Sequence, residues 1–434
     1  CPFFRLSPAT LRPLGRRAAS LCMEVRSGEE FPMAQLKSEV AIVGSGLSGM
    51  AMAVALDSIG VSTLLIDRSA AALDPAAIDD ARTTAISFTS RRMLEALDLW
   101  PAEAAAPILD IHVTDGPSRL FLHFDHRAAG DQPMGHLIEN RFLRQRFLDR
   151  LHAARHVQVV SGHAIEALRR DDDGVTFTLN DGAHGQARLI IGADGARSWL
   201  RKTAGIRTSG WSYRQTAMVC TVRHPLPHHH VAHERFLPGG PFAVLPLTGE
   251  RSSIVWSERD DLASVMMRLD DRAFAAEMNR RFGHSLGAFE MDGPRASYPL
   301  SLTFAHDITA TRLALVGDAA HSMHPIAGQA FNLGLRDIAA LAEIIADAAR
   351  RGLDLGTAGD LARYRRLRRA DIAALLAATD GLTWLFSNDI PPVRLARDLG
   401  LGLVNRMPRL KTMFMRRAMG TGQSGPRLLR GQPL

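Results

Sequence analysis

An α/β fold organised around a dinucleotide-binding βαβ unit is what the sequence predicts, and three observations predict it. The stretch from Ser38 to Asp67 reads strand, glycine turn, Ala-rich helix, strand. Two later segments, ending in Gly192-Ala193-Asp194-Gly195 and Gly317-Asp318, each place a carboxylate at the end of an apolar strand. The composition is that of a folded globular protein: 46% hydrophobic and 22% charged residues, with 36 Gly and 22 Pro in 434 residues, enough chain for two or three domains.

The first unit is specific in its physics. Gly44, Gly46 and Gly49 form GxGxxG directly after the strand "VAIVG" and open the helix. Gly44 permits the tight turn, Gly46 lets the backbone approach a pyrophosphate, and Gly49 lets helix and strand pack closely, while the helix N-terminus faces the phosphates. Asp67, 23 residues after Gly44 at the end of the second strand, is placed to accept from ribose hydroxyls. Strand, spacing, helix and terminal acid together make a much stronger signal than the glycines alone.

The second and third units read "ARLIIGADGARSWLRKTAG" and "TRLALVGDAAHSMHPIAGQAFNLGLRDIAAL", the latter with a Pro/Gly turn opening a long helix near Ala330. Glycine fingerprint, GADG and GDAAH…P…G in this order resemble the FAD-dependent aromatic hydroxylases built like p-hydroxybenzoate hydroxylase. The resemblance runs over residues 36–420. "DDARTTAISFTSRRMLEALDLW", "GHLIENRFLRQRFL", "HERFLPGGPFAVLPL", "HPIAGQAFNLGLRD" and an ending with "TDGLTWLFSN" and "AMGTGQSGP" resemble the ubiquinone-biosynthesis hydroxylases in particular.

That resemblance implies an FAD-binding Rossmann-like domain with an inserted mixed β-sheet substrate domain and a helical C-terminal extension. Residues 36–110, 134–205 and 309–345 would form the FAD domain, 111–133 and 206–308 the substrate domain, and 346–434 a helical region with a basic tail. It further implies that Asp318 with Gly317 holds the pyrophosphate and ribityl region, that Asp194 belongs to the cofactor site, and that Arg82, Asn140 and Arg141 contact the cofactor. Backbone donors at Gly328, Gln329 and Ala330, with the Asn332 amide, would face the isoalloxazine at the positive end of a helix, where reduced flavin carries its charge. One departure stands out: the family's Gly-Gln-Gly turn reads Gly328-Gln329-Ala330 here. A positive φ at that third residue would cost Ala about 1 kcal/mol or more.

The reaction implied is hydroxylation of the aromatic ring of a polyprenylated phenol through a flavin C4a-hydroperoxide, with O2 as co-substrate. In it the cofactor carries the chemistry, and the protein excludes water and orients the ring. Pro325 would sit by the reactive flavin edge; Tyr298 and His321 are candidates for acid–base work. No second strand–turn–helix unit opened by GxGxxG exists for a nicotinamide, so NAD(P)H visiting transiently and a ferredoxin both remain open as electron donor. A soluble phenol, isoprenoid reduction, or a non-catalytic flavoprotein scaffold motivated by Ala330 are the competing readings, and other ubiquinone-biosynthesis proteins are implied as partners.

Charge narrows the partners. The formal net charge is +7, with only three lysines (Lys37, Lys202, Lys411) against 49 arginines. Arg5, Arg12, Arg16 and Arg17 stand in an acid-free start, and residues 391–434 hold nine bases against Asp398 alone, so the body between is acidic. A nucleic-acid binder spreads its basic face over a folded domain, and nucleic acid is therefore excluded. The tail mixes Leu399, Leu403, Met407, Leu410, Met413 and Phe414 with arginines, a composition suited either to an anionic membrane surface or to packing on the fold. The expected location is cytoplasmic and peripheral to a bacterial inner membrane, or the matrix side of the mitochondrial one.

Residues 1–35 read as an appendage outside the fold, with Met33 a natural start, although the Arg-rich beginning has the look of a transit peptide. No apolar run is long enough to span a bilayer. Cys1, Cys22 and Cys220 are too few and too far apart for a disulfide framework or zinc site, and the HxxH at His321 and His324 lacks further ligands, so no metal is expected. The run His228 to His230 reads as a solvated loop.

Overall fold

Short apolar runs bounded by glycine turns form the central sheet. The computed structural model describes residues 35–74, 80, 82–116, 121–323, 328–386, 405–420 and 425–434. Val40–Val43 pairs in parallel with Thr63–Asp67 on one side and Leu189–Gly192 on the other; Leu313–Leu315 and Val157–Ser161 extend the parallel array, and antiparallel Thr309–Ala310 ends it. The central strands Val40–Val43, Leu189–Gly192 and Leu313–Leu315 are apolar throughout because both faces are covered, with Val175, Phe177 and Leu179 of a neighbouring antiparallel sheet sharing the core with the helices.

Helix α1 (Leu47–Asp57) follows the glycine turn, and its residues Met50 to Leu56 are wholly buried. A helix apolar all round belongs inside, here against α3 (Asn140–His152) and the long helix α7 (Ala330–Arg350). Helix α2 (Phe88–Ala96) begins at Ser87, whose Oγ accepts from the Ser90 N–H. The short α4 (Trp199–Thr203) is capped in the same way by Ser198.

Among the described residues a second, nine-stranded mixed sheet runs in the order His321–Ser322, Ala296–Ala305, Thr208–Arg223, Arg251–Arg259, Gly240–Pro246, Val231–Leu237, Asp110–Asp115, Phe121–Asp125, with Glu290–Met291 beside Thr208–Arg223. Its strands alternate. Phe242, Trp256 and Met218 point to the face covered by α5 (Asp260–Met266) and α6 (Asp271–Phe282), packing on Phe274 and Met278. Ala243, Val255 and Val219 point to the other face, which lines a cavity. Smaller sheets, Thr83–Ser87 with Gly135–Glu139 and Ala106–Ile108, and a four-stranded array around Gly174–Leu179, complete the strands.

Helix α8 (Ala358–Phe386) lies along α7, where Tyr364 Oη donates to the Leu315 carbonyl at 2.9 Å. Helix α9 (Pro408–Met419) reaches back to the cavity. The last residues pack on the core: Leu428 is fully buried, and Arg427 is paired with Glu343 and Asp347 of α7. Part of the basic tail is therefore structural, while Leu399 and Leu403 lie outside the described residues, as does the N-terminal segment apart from Gln35.

The histidine run is not simply a solvated loop. His229 is exposed, but His228 is buried, with Nε2 on the Leu247 and Gly249 carbonyls, and its ring meets His224 and His230. Cys220 is buried, and burial pushes its thiol up to about 12, so it is inert. No described helix is long and apolar enough to cross a membrane, and no group of described His, Cys, Asp or Glu residues is arranged to hold a metal ion.

Candidate functional site

A cavity of about 1160 Å³ lies between the glycine turns of the first sheet and the open face of the second. Its polar end is built from backbone. Gly44 has φ +102°, and a Cβ there would fall 2.4 Å from the Ala193 carbonyl oxygen; at Gly49 it would fall 1.8 Å from that of Gly44. Gly46 differs: nothing lies within 4 Å of its would-be Cβ, and it forms cavity wall. Gly195, also in the wall, is equally open.

The two helices that start here, α1 at Gly46 and α7 at Gln329, have no side-chain N-cap, so their first N–H groups are directed at the cavity. Open backbone, two helix N-termini and a large apolar extension fit a dinucleotide whose phosphates lie on α1 and whose ring system lies by α7.

Much of the polar machinery around this end serves to hold the turns. Asp67 Oδ2 accepts from Ser45 N at 2.7 Å and Ser45 Oγ at 2.8 Å, and Oδ1 accepts from Ser69 N, which ties the glycine turn to the strand end; Asp67 is not in the cavity wall. Asp194 Oδ2 caps α4 through the Trp199 and Leu200 N–H groups, leaving Oδ1 buried without a partner, between the wall residues Ala193 and Gly195.

Gly317 (φ +59°) donates its N–H to Asp337 Oδ2, and a Cβ on Gly334 of α7 would come within 3.2 Å of Gly317 Cα. Asp318, next along, projects into the cavity. Burial among protein atoms pushes its carboxyl above the usual range, with His321 and Arg82 opposing.

His321 is not available as a base. It is 1% exposed, and its Nε2 lies 2.6 Å from Asp337 Oδ2, which also faces Arg368 through Oδ1 at 2.7 Å. Arg368 in turn pairs with Asp371, and Asp371 with Arg336. Burial alone would raise the Asp337 carboxyl, but His321 and Arg368 outweigh it and hold the group below its ordinary value. The network clamps the Gly317-Asp318 turn to α7 and α8.

The start of α7 removes one concern and limits one expectation. The positive φ falls on Gly328 (+59°), where a Cβ would meet the Ala85 Cβ at 2.7 Å, whereas Ala330 is the first residue of the helix and carries no positive φ. The Gly-to-Ala departure is unstrained. Asn332 is 1% exposed: Oδ1 accepts from Ser87 N at 2.9 Å, and Nδ2 donates to the carbonyls of Ala85 and Gly328. Its amide therefore joins Thr83–Ser87 to the helix start rather than facing a ligand, while Gly328 to Asn332 form cavity wall. Pro325 lies outside the described residues.

At the rim Arg82 forms a two-pronged pair with Asp80 (Nε–Oδ1 and Nη2–Oδ2, both 2.7 Å). Asn140 donates to Asp80 at 3.1 Å and accepts from Thr84 Oγ1 at 2.6 Å. Burial would raise the Asp80 carboxyl, but Arg82 and Asn140 hold it below the usual range. Arg82 and Asn140 line the cavity; Arg141 does not, being paired with Glu139 and stacked on Phe142. Asp80 went unselected in the sequence, though it stands in "DDARTT", two residues before the arginine it orients.

The far end is apolar. Tyr298, its hydroxyl pKa raised by burial, lies on Ala296–Ala305, the strand beside His321–Ser322. Beyond it come Val219, Val255, Ala243 and Phe236 from the sheet, Leu385 from α8, and Met415 and Met419 from α9. Glu234 projects among them, and sequence reading missed it; the available signal was an acid between Ala232 and Phe236 on the inward-facing register of an apolar strand.

The FAD_binding_3 family, described as "FAD binding domain", matches residues 37–379. The chain is 50% identical over 402 residues to a "Ubiquinone hydroxylase UbiL" of Rhodospirillum rubrum, covering 92% of this chain and 94% of that one. It is 32% identical to an Escherichia coli "3-demethoxyubiquinol 3-hydroxylase" over 89% of this chain and 100% of the relative. Against "Ubiquinone biosynthesis monooxygenase COQ6, mitochondrial" of Xenopus tropicalis it is 32% identical over 87% and 92%. The crystal structure of p-nitrophenol 4-monooxygenase PnpA from Pseudomonas putida shares the fold, with TM-score 0.75 at 19% identity over 89% of this chain and 99% of that one. From backbone cradle to whole-length relatives, the chain belongs to the ubiquinone-hydroxylase family of FAD-binding proteins.

Proposed function

We propose that the protein is an FAD-dependent monooxygenase that hydroxylates the aromatic ring of a polyprenylated phenol in ubiquinone biosynthesis. The observation that carries this reading is the single cavity that joins an anion-accepting backbone end to a long apolar end. FAD, when bound, supplies the reduction of dioxygen and the delivery of one oxygen atom to the ring.

In this reading the residues of the chain bind, orient and exclude water. Gly44, Gly46 and Gly49 with the start of α1 hold the pyrophosphate; Asp67 fixes that turn through Ser45, and Asp194 fixes the Ala193–Gly195 wall. Asp318 faces the ribityl region, and the N–H groups from Gly328 to Asn332 face the negative edge of the reduced ring system. Arg82, held by Asp80 and Asn140, supplies positive charge at the rim. Pro325 and Tyr298 are assigned to the flavin edge. The apolar far end takes the ring and the isoprenoid chain, and its closure by Met415 and Met419 keeps water out. Electrons come from NAD(P)H or a ferredoxin.

Contact with an anionic membrane surface fits a substrate soluble only in lipid. It is supported by the exposed Met407 (45%) just before the helix that closes the cavity and Met413 (55%) within it, near Arg406 and Arg409. The test is anaerobic reduction of the purified flavoprotein, admission of O2 with a short-chain prenylated phenol, and identification of the product. A hydroxylated phenol is expected; reoxidation without product overturns the reading. Met407→Asp with Met413→Asp should weaken binding to anionic vesicles while leaving turnover of a detergent-solubilised substrate intact.

A further inference from the structure

We propose that Glu234 is the group that receives the phenol hydroxyl: its carboxylate accepts the ring O–H, fixes the ring's orientation in the apolar end of the cavity, and takes the hydroxyl proton as the ring is attacked. This rests on the proposed hydroxylation and deepens it. In the step, the phenol O–H bond breaks, an O–H bond forms on the carboxylate, and the electron pair stays on the phenol oxygen, where it enriches the ring toward an electrophilic oxygen.

The argument starts from register. Glu234 sits in the strand Val231–Leu237 directly opposite Val113 on one side and Ala243 on the other. Continuing across the sheet, Ala243 is opposite Val255, and Val255 opposite Val219. This whole row lines the cavity, and Glu234 is its single polar member. The residues two before and two after it on the same face, Ala232 and Phe236, are apolar. Its sequence neighbours point to the opposite face: the His233 ring packs on His112 and Phe282, and Arg235 donates to the Arg281 carbonyl.

No described residue gives Glu234 a hydrogen bond or ion pair. Asp337, the wholly buried carboxylate behind the Gly317 turn, is by contrast held by His321 and Arg368. A carboxyl in an apolar wall without a donor is costly and calls for one from a ligand. A phenol supplies one O–H on an otherwise apolar body, and the methionines and leucines around Glu234 suit that body.

The titratable groups that face this region are few. From the adjacent strand Asp115 stands one pair along the ladder, opposite Phe236; the strand Gly240–Pro246 presents none, and neither do the cavity-lining Leu385 of α8 and Met415 and Met419 of α9. The other titratable residues of the described cavity wall are Arg82, Tyr298, Asp318 and His233, and the His233 ring is turned away onto His112 and Phe282. Burial pushes the Glu234 carboxyl up to about 7, with no charged neighbour contributing. Its ionisation therefore falls in the working range of an enzyme.

The experiment uses the flavin-loaded full chain, Glu234→Gln and Glu234→Asp, with a short-chain prenylated phenol as probe. Binding is read from perturbation of the flavin spectrum and turnover from product. The wild type should show kcat/KM rising with pH through about 7. Glu234→Gln, with flavin content unchanged, should lose that limb and about 100-fold in kcat/KM at pH 8, whereas Glu234→Asp should keep the limb at lower efficiency. Gln with wild-type affinity and pH profile overturns the proposal, and so does an Asp variant that has lost the limb. If the wild type binds the probe without hydroxylating it, the proposed function fails. Glu234 is then still decided by binding, which should weaken in Glu234→Gln above pH 7.

Discussion

The two ends of the cavity are built on opposite principles. At the nucleotide end the ligand-facing groups are mostly backbone, and polar side chains such as Asp67, Asp337, His321 and Asn332 are engaged in holding turns in place. At the sheet end the wall is mostly apolar side chain, and Glu234 has no donor among the described residues. A cofactor common to many reactions is gripped by geometry that tolerates no change. The substrate is gripped by shape and one chemical group.

The largest expected effect breaks the first end. Gly49→Val would drive side-chain atoms into the Gly44 carbonyl, already 1.8 Å from a simple Cβ, and should leave protein without stoichiometric flavin by absorbance. Next comes the clamp behind it. Asp337→Asn leaves Arg368 buried beside a neutral amide and should cost about 3–5 kcal/mol in chemical unfolding, with activity lost only as the Gly317 turn loosens.

The sheet end should respond with the opposite sign. Glu234 has a folded pKa raised above its unfolded value, so the stability it permits is complete below about pH 4.5 and is lost as pH rises through about 7. Glu234→Gln should therefore be more stable than wild type at pH 8, by up to about 3 kcal/mol in denaturant titrations, and equal to it near pH 4. A variant that gains stability while losing turnover would mark the carboxyl as functional. The smallest effect is expected at the turn itself: Ala330→Gly should change flavin affinity little and cost under about 1 kcal/mol, because no positive φ exists there to relieve.

The nucleotide end was readable in the chain because its residues act through local sequence. Gly44, Gly46 and Gly49 announce a turn, and the same six residues contain the helix start. The helix opening at Ala330 was equally legible. What sequence could not supply was pairing at a distance: that His321 would meet Asp337 rather than a substrate, that the Asn332 amide would bridge to residues 85–87, or that Glu234 would face inward. Each depends on registers between strands and helices tens to hundreds of residues apart, and a side chain's direction flips with a one-residue shift.

The pairing of Arg427 with Glu343 and Asp347, together with the buried Leu428, gives the cavity's cap a second moorage. Helix α9 is fastened on its far side to the same helix whose other end receives the flavin. In polymer terms it is a strap rather than a flap: anchored beyond the cap, it is held over the opening at a high effective concentration.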